Sequence, residues 1–210
     1  MKFLIIQPKL EKHIVQLEQE IRENPGADAV IFPEGYLNEN VEQACILAKD
    51  HNKILIGGHR RFNDSPKDRA IIIDRSGNVI LDRVKYSDTV FQTVEGLKTG
   101  HIICDELVKQ GIRSEDTSGI GLVVHAIGVG MFSEEQFGEW INEARKIAAA
   151  HKTMIIGTSH ADGSYRGSEV SIPITYCFDE NGDTLFVSKN DTRTRMLDTQ
   201  TKTVSFTKTV

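Results

Sequence analysis

Apolar and polar positions along the chain predict strands and helices in alternation. The first part of the sequence reads as strand, helix, strand, helix, strand, with short apolar runs such as KFLII and AVIF between amphipathic segments. Residues 10–23 and 40–51 carry apolar side chains three and four positions apart, which is the spacing of one helix face. This alternation predicts an α/β protein in which helices pack against a sheet.

The pattern then changes to pairs of strands joined by tight turns. RAIIID and VILDRV flank a turn built on Asp74 and Gly77, and a second pair flanks Glu95. A strand GLVVHAI, a helix over 133–151 that begins at a capping Ser133, and a strand TMIIGTS follow. A last clear hairpin is TYCFDENGDTLFVSK.

A weak internal repeat links the two hairpins. IIIDRSGNVILDRVK and TYCFDENGDTLFVSK share a strand, an Asp-x-x-Gly turn, a strand and a final lysine, and each follows a strand–helix–strand segment. We therefore expect two similar halves that form two packed sheets with helices outside. No linker or low-complexity segment interrupts the sequence, so we expect a single domain over residues 1–210.

Composition and charge narrow the class of protein. The chain has 25 basic and 30 acidic residues and a formal net charge of −5, which argues against nucleic acid as a partner. No apolar run is long enough for a membrane span, and the amino-terminal one is too short for a secretory signal. Cys45, Cys104 and Cys177 are widely spaced, so we expect free thiols, a reducing cytoplasmic compartment and no metal site.

Three reactive side chains come at the ends of predicted strands. Glu34 follows AVIFP, Lys85 follows VILDRV and Cys104 follows GHII. Each alone has an ordinary explanation as a turn residue, a surface charge or a small core residue. Together they suffice for acyl transfer from an amide, because a carboxylate can take the proton of a thiol and an ammonium can stabilise an oxyanion.

These segments resemble a known family. FPEGYL, RVKYS and GHIICDE are similar, in this order, to the glutamate, lysine and cysteine motifs of the nitrilase superfamily of carbon–nitrogen hydrolases, and the likeness covers nearly the whole chain. The resemblance implies a four-layer α-β-β-α sandwich. It makes Glu34 the general base, Lys85 the oxyanion stabiliser and Cys104 the nucleophile, with the backbone N–H of Asp105 completing the oxyanion hole.

The resemblance also implies substrates and partners. Such proteins hydrolyse non-peptide amides, carbamoyl compounds or nitriles without a metal or an organic cofactor, and they pair into dimers or larger assemblies. We therefore expect a small-molecule amide or nitrile substrate, no cofactor, and a homodimer or higher homo-oligomer.

Two features depart from the family pattern. Asp105 stands where an aromatic residue is usual, and its charge should raise the pKa of the thiol unless Lys85 offsets it. The segment between Lys85 and Cys104 is short and offers no clear second, substrate-orienting glutamate. Glu95 falls in a predicted hairpin turn, and Glu106 matches an acid that is more often structural. A short segment should leave a more open pocket, or one completed by a partner chain.

Alternatives stay open at this stage. One is a catalytically impaired nitrilase-like protein that serves as a binding or assembly module. Nucleotide binding has less support, since the first strand is followed by neither G-x-G-x-x-G nor a P-loop. A nucleophile elbow is disfavoured because Ile102 and Glu106 occupy positions that want small residues. A pair of Cys104 with His125 or His160 is a further possibility.

Further residues near the ends of predicted strands could line a substrate pocket at the same edge of the sheets. Each has an equally good explanation as an ordinary loop residue. The candidates are Tyr36, Asp105, His125, Met131, Ser159 and His160.

Overall fold

The computed structural model describes residues 1–167 and 169–207, and its first sheet is built from both ends of the chain. The seven strands are β1 (Lys2–Ile5), β2 (Ala29–Ile31), β3 (Ile54–Arg60), β4 (Asp68–Ile73), β5 (Val79–Val84), β12 (Arg195–Asp198) and β13 (Thr203–Phe206). Their order across the sheet is β13-β12-β1-β2-β3-β4-β5. β1, β2 and β3 are parallel, and the outer strands on both sides run antiparallel to their neighbours.

The second sheet repeats this plan. Its six strands are β6 (Gln92–Val94), β7 (Leu97–Ile103), β8 (Leu122–Ile127), β9 (Met154–Ser159), β10 (Ile174–Phe178) and β11 (Thr184–Lys189). Their order is β11-β10-β9-β8-β7-β6, with β7, β8 and β9 parallel and the remaining neighbours antiparallel.

The internal repeat is confirmed in the turns of the two hairpins. Asp74 Oδ1 accepts hydrogen bonds from the backbone N–H of Ser76 and Asn78, and Asp179 Oδ1 accepts the equivalent pair. In each turn the N–H of a glycine donates to the carbonyl of the aspartate. Both hairpins also carry a register shift near the end of their first strand. The same local chemistry therefore builds the β4–β5 and β10–β11 hairpins.

Helices cover the outer face of each sheet, which completes four layers. They are α1 (Val15–Glu23), α2 (Val41–Asp50), α3 (Glu106–Lys109) and α4 (Glu134–His151). α1 and α2 pack on the first sheet, and α3 and α4 pack on the second. A third apolar cluster draws side chains from both sheets and fills the space between them. The α-β-β-α sandwich expected from the sequence is thus confirmed.

The start of the first helix corrects the sequence prediction. The apolar spacing predicted a helix over 10–23, but α1 begins at Val15. Side chains bind the preceding backbone instead: the Gln16 amide exchanges two hydrogen bonds with Lys9, and the N–H of Leu10 donates to Asp162. Glu11 meanwhile accepts from the N–H of Gln16. These local bonds compete with a helical turn.

Within the described part of the chain, no helix has the length and apolar character needed to cross a membrane.

Candidate active site

Glu34 lies in a tight turn just after β2. Gly35 follows it with φ of +68°, a left-handed conformation that glycine adopts without strain, and a Cβ there would meet the guanidinium of Arg60. The Glu34 side chain is 5% exposed, and its Oε1 accepts a hydrogen bond from Lys85 Nζ at 2.8 Å. His160 Nε2 lies 3.2 Å from the Glu34 carbonyl oxygen. The carboxylate is therefore turned inward, away from solvent.

Lys85 follows β5 directly and links two carboxylates. Its backbone N–H donates to Asp68, which extends the β4–β5 pairing by one step. Its Nζ lies 2.8 Å from Glu34 and 3.1 Å from Asp105, and the side chain is largely buried. The ammonium group thus joins the loop after β2 to the turn after β7.

Cys104 occupies a strained turn between β7 and α3. Its φ is +48°, a left-handed conformation that is costly for a residue with a side chain and is concentrated at functional sites. Its N–H donates to Ala126, and its carbonyl accepts from the N–H of Leu107. Strand, left-handed residue and helix form an elbow-like turn, which corrects the expectation drawn from Ile102 and Glu106.

Glu106 explains how this turn forms without small neighbours. Its carboxylate folds back and accepts hydrogen bonds from the backbone N–H of Ile103 at 2.7 Å and of Tyr86 at 2.5 Å. The Arg83 guanidinium pairs with the Glu106 carboxylate at a distance of 2.7 Å, and both side chains are buried. The large side chain at this position therefore becomes part of the turn.

Gly128, just after β8, is a common neighbour of Glu34 and Cys104. A Cβ at this position would collide with Glu34 Oε2, so glycine lets the carboxylate keep its observed place. The Gly128 backbone is also close to the Cys104 thiol, where it partly opposes the rise in the pKa of that thiol. Glu34 and Cys104 consequently both lie beside Gly128 in the wall of one cavity.

Burial dominates the pKa values of these groups. It raises the pKa of Glu34 to about 7, with the nearby Lys85 ammonium opposing the rise. Burial, together with the Glu34 charge, raises the pKa of Cys104 to about 12. For Lys85, burial lowers the pKa, but attraction to Glu34, Cys104 and Asp105 outweighs it and leaves the pKa above its usual value. At neutral pH the thiol is protonated and the lysine is charged.

Asp105 is held as an anion by its neighbours. Burial raises its pKa, but Lys109 and Lys85 together hold the pKa below its ordinary range, and the Tyr86 hydroxyl donates to both carboxylate oxygens. Lys109 lies 2.5 Å away and Lys85 3.1 Å. The charge next to Cys104 is therefore paired on two sides.

Glu34, Lys85 and Cys104 line one cavity of about 590 Å³. Of the other predicted pocket residues, Asp105 and Met131 also line it, whereas Tyr36, His125, Ser159 and His160 do not. Eleven lining residues were missed by sequence reasoning: Arg60, Tyr86, Lys109, Gly128, Val129, Gly130, Phe132, Gln136, Trp140, Tyr165 and Arg166.

Some of the missed residues carry a signal in the sequence and others carry none. Arg60 ends β3 and residues 128–132 follow β8, so the strand-end argument applied to Glu34 could have found them. Trp140 belongs to an amphipathic helix and looks like an ordinary core residue. Tyr165 and Arg166 enter from the loop after β9, whose path the sequence does not specify.

The two histidines do not pair with the thiol, which overturns the Cys–His alternative. His125 Nε2 binds the Cys104 carbonyl at 2.8 Å, and its other ring nitrogen binds the Tyr176 hydroxyl. His160 binds the Glu34 carbonyl. Burial lowers the pKa of each ring to about 4, so both are neutral. Their role here is to hold the backbone of Cys104 and Glu34.

The remaining predicted residues support the frame around the cavity. The Tyr36 hydroxyl accepts the N–H of Leu17 at 3.0 Å and donates to Glu11, which anchors the first turn of α1. Ser159 is fully buried, accepts the N–H of Ile174 at 2.9 Å and donates to the carbonyl of His160. Both side chains are thus occupied by structural hydrogen bonds.

Neither Glu95 nor Glu106 reaches the cavity. Glu95 lies in the β6–β7 turn, as predicted, and pairs with Arg75. Glu106 pairs with Arg83 inside the turn described above. Among the described residues, Asp105 is the carboxylate that accompanies Glu34 in the cavity wall, and no cluster of histidine, cysteine and acidic side chains could hold a metal ion.

Comparison with known proteins places the fold. No protein-family model matches the sequence, and no curated protein matches it. The structure is similar to a carbon–nitrogen hydrolase from Helicobacter pylori G27, with a TM-score of 0.76, 12% identity, and coverage of 96% of this chain and 90% of that one.

The amidase from Nesterenkonia sp. AN1 is also similar. A mutant carrying the acetamide moiety of fluoroacetamide on its active-site cysteine aligns with a TM-score of 0.72 and 13% identity, covering 94% of this chain and 89% of that one. A mutant in complex with butyramide aligns with a TM-score of 0.73 and 13% identity, covering 96% and 92%. The predicted resemblance to carbon–nitrogen hydrolases is therefore confirmed at the level of the fold.

Proposed function

We propose that this chain hydrolyses a non-peptide C–N bond, in a small amide, a carbamoyl compound or a nitrile, through a thioester on Cys104. The observation that carries the proposal is the shared cavity of Cys104, Glu34 and Lys85. In it, Lys85 Nζ lies 2.8 Å from Glu34, and both charges act on the pKa of the thiol.

For an amide, the chemistry begins with a proton transfer. Because the thiol pKa is near 12 and the Glu34 pKa near 7, the thiolate forms only as the sulfur attacks the carbonyl and Glu34 takes the proton. The resulting oxyanion is stabilised by Lys85 and by the backbone N–H of Asp105. Glu34 then returns the proton to the departing nitrogen, and the C–N bond breaks to leave a thioester.

Hydrolysis of the thioester completes the cycle. Glu34 takes a proton from a water molecule as the water oxygen attacks the carbonyl carbon, and Lys85 again stabilises the oxyanion. The carbon–sulfur bond breaks, the proton returns to the sulfur of Cys104, and a carboxylic acid leaves. In the similar amidase the active-site cysteine carries the acetamide moiety of fluoroacetamide, which supports a nucleophilic cysteine here by analogy of fold.

Ammonia release over a panel of small amides and nitriles tests the proposal, with intact-mass measurement of the acyl-enzyme. Cys104→Ala and Glu34→Gln should each lower kcat/KM by about a thousandfold or more while the circular dichroism spectrum stays unchanged. Cys45→Ala is the matched control, since Cys45 lies on α2 outside the cavity. Turnover that survives in Cys104→Ala would refute the proposal, as would equal labelling of all three native cysteines by a thiol reagent.

Asp105 favours a second candidate, a catalytically impaired binding or assembly protein. Its carboxylate shares Lys85 with Glu34 and adds negative charge beside the thiol, which raises the thiol pKa. On this hypothesis the wild-type protein binds amides in a titration, yet releases no ammonia and accumulates no acyl-enzyme across the panel.

We also propose a cytoplasmic location, no nucleic-acid partner and assembly into a homodimer or higher homo-oligomer. The net charge of −5 supports the absence of a nucleic-acid partner. The resemblance to carbon–nitrogen hydrolases supports the assembly into a homo-oligomer. Light scattering on the purified protein measures its assembly state directly.

A further inference from the structure

The charges that line the cavity balance in pairs. Lys85 contacts Glu34 at 2.8 Å, and Lys109 contacts Asp105 at 2.5 Å. The third cation, Arg60, pairs with Asp68, and its Nε lies 3.0 Å from a carboxylate oxygen of that residue. These three cations are therefore already engaged before any ligand enters.

Arg166 is the exception. Among the described residues it forms no ion pair, and its guanidinium carbon lies 5.2 Å from the ring centroid of Tyr165. Tyr165 in turn packs against Phe132, with ring centroids 6.1 Å apart. The guanidinium therefore rests on Tyr165, a side chain of the cavity wall, and no described residue accepts a hydrogen bond from it.

The cavity has a closed end and an open end, and Arg166 belongs to the open end. Glu34, Met131 and Trp140 are each at most 5% exposed, whereas Phe132 and Tyr165 are nearly half exposed. A substrate that presents its carbonyl to the thiol therefore extends along apolar side chains toward solvent. Among the described residues, Arg166 is the charged side chain of the cavity wall that has no ionic partner, and it is exposed at this end.

We propose that the substrate is an amide whose acyl chain ends in a carboxylate, and that Arg166 pairs with this carboxylate. In a primary amide only the acyl chain can extend from the thiol to the mouth of the cavity. A guanidinium binds a carboxylate through two parallel N–H donors, which gives the pair both strength and direction. This inference rests on the proposed function, because it requires the substrate carbonyl to react with the thiol of Cys104.

Binding to the full-length Cys104→Ala protein tests this inference without any need for turnover. The probes are succinamate, glutaramate and adipamate, each compared by NMR titration with the uncharged amide of the same carbon number. Because Arg166 is exposed at the mouth, we expect the carboxylate to strengthen binding about threefold for at least one chain length. Arg166→Gln should bring the affinity ratio of charged to uncharged amide close to one, and Arg166→Glu should invert it.

Arg22→Gln is the matched control, because Arg22 is an exposed arginine on α1 and should leave the ratio intact. A ratio near one in Cys104→Ala, a ratio that Arg166→Gln does not change, or a lack of binding by every probe overturns the inference. Selective binding of the carboxylates by Cys104→Ala, combined with no cleavage by the wild-type protein, instead overturns the hydrolase proposal and leaves the ligand assignment supported.

Discussion

The pKa values of Glu34, Lys85 and Cys104 are linked, because Lys85 acts on both other groups and Glu34 acts on the thiol. Burial raises the pKa of Glu34 and the pKa of Cys104, and the charge of Lys85 opposes both increases. Asp105 adds a negative charge, but its contacts with Lys85 and Lys109 limit its influence on the thiol.

The proposed role of Glu34 as general base predicts a pH dependence of activity. A general base must be unprotonated, and burial raises the pKa of Glu34 to about 7, so kcat/KM should rise about tenfold per pH unit below that value and level off above it. Initial rates on an uncharged amide between about pH 5 and pH 9 measure this limb. A rate that is constant from pH 5 to pH 8 would contradict the assignment of Glu34 as the base.

Whether a residue at the end of a strand lines the cavity depends on the direction of its side chain. Glu34 and Cys104 were found because the chain leaves the sheets at their positions and both side chains turn into the cavity. His125 lies inside β8, before its last residue Ile127, whereas Ser159 ends β9, and both side chains form hydrogen bonds within the packed layers. The sequence predicts that a residue lies near the edge of a sheet, but it does not predict whether its side chain faces the cavity or the packed layers.

At the scale of elements, one buried ion pair fixes the two turns that carry Lys85 and Cys104. Arg83 belongs to β5 and Glu106 to α3, and the Glu106 carboxylate also accepts N–H groups from the turns after β5 and before α3. The relative position of the lysine and the thiol therefore depends on a carboxylate that does not line the cavity.

Removing that carboxylate should cost stability. Glu106→Ala leaves the Arg83 guanidinium buried without its partner, and we expect a loss of about 3–5 kcal/mol in the free energy of unfolding. Glu106→Gln keeps an acceptor oxygen and should lose less. Urea titration followed by circular dichroism measures both, with the exposed Glu115→Ala as a control that should stay within about 0.5 kcal/mol of the parent. A loss below about 1 kcal/mol for Glu106→Ala would contradict this role.

Local signals predicted most elements, and they failed where distant side chains intervene. The Asp-x-x-Gly hairpins and the Ser133 cap of α4 were predicted because their hydrogen bonds join residues within a few positions. The first turn of the predicted helix over 10–23 is absent partly because Asp162, far along the chain, binds the N–H of Leu10. No window of sequence around residue 10 contains that partner.

For the whole molecule, the decisive feature is the apolar layer between the two sheets. β3 packs against β8 and β4 against β7 across it, so each half of the chain buries its inner face on the other. Sequence patterns predicted two sheets, but the return of β12 to pair with β1 joins residues nearly two hundred positions apart and has no local signal.

This shared layer predicts that the two halves unfold together, as a single domain. Ile56 of β3 and Ile156 of β9 both belong to the apolar cluster between the sheets, whereas Trp140, the only tryptophan in the chain, packs on the outer face of the second sheet. Ile56→Ala should therefore lower the free energy of unfolding by about 2–5 kcal/mol, as Ile156→Ala should, because each leaves a cavity in the same layer.

The readout that decides is the fluorescence of Trp140, which reports on the second sheet although Ile56 lies in the first. In Ile56→Ala the urea midpoint of Trp140 fluorescence should shift as far as that of circular dichroism, and the two curves should coincide. The milder Ile56→Val should shift both midpoints by a smaller, equal amount. Only a shared core can carry the effect of a substitution in the first sheet to the second sheet. If the midpoint of Trp140 fluorescence stays unchanged while the midpoint of circular dichroism shifts, the two sheets therefore unfold independently as two cooperative units.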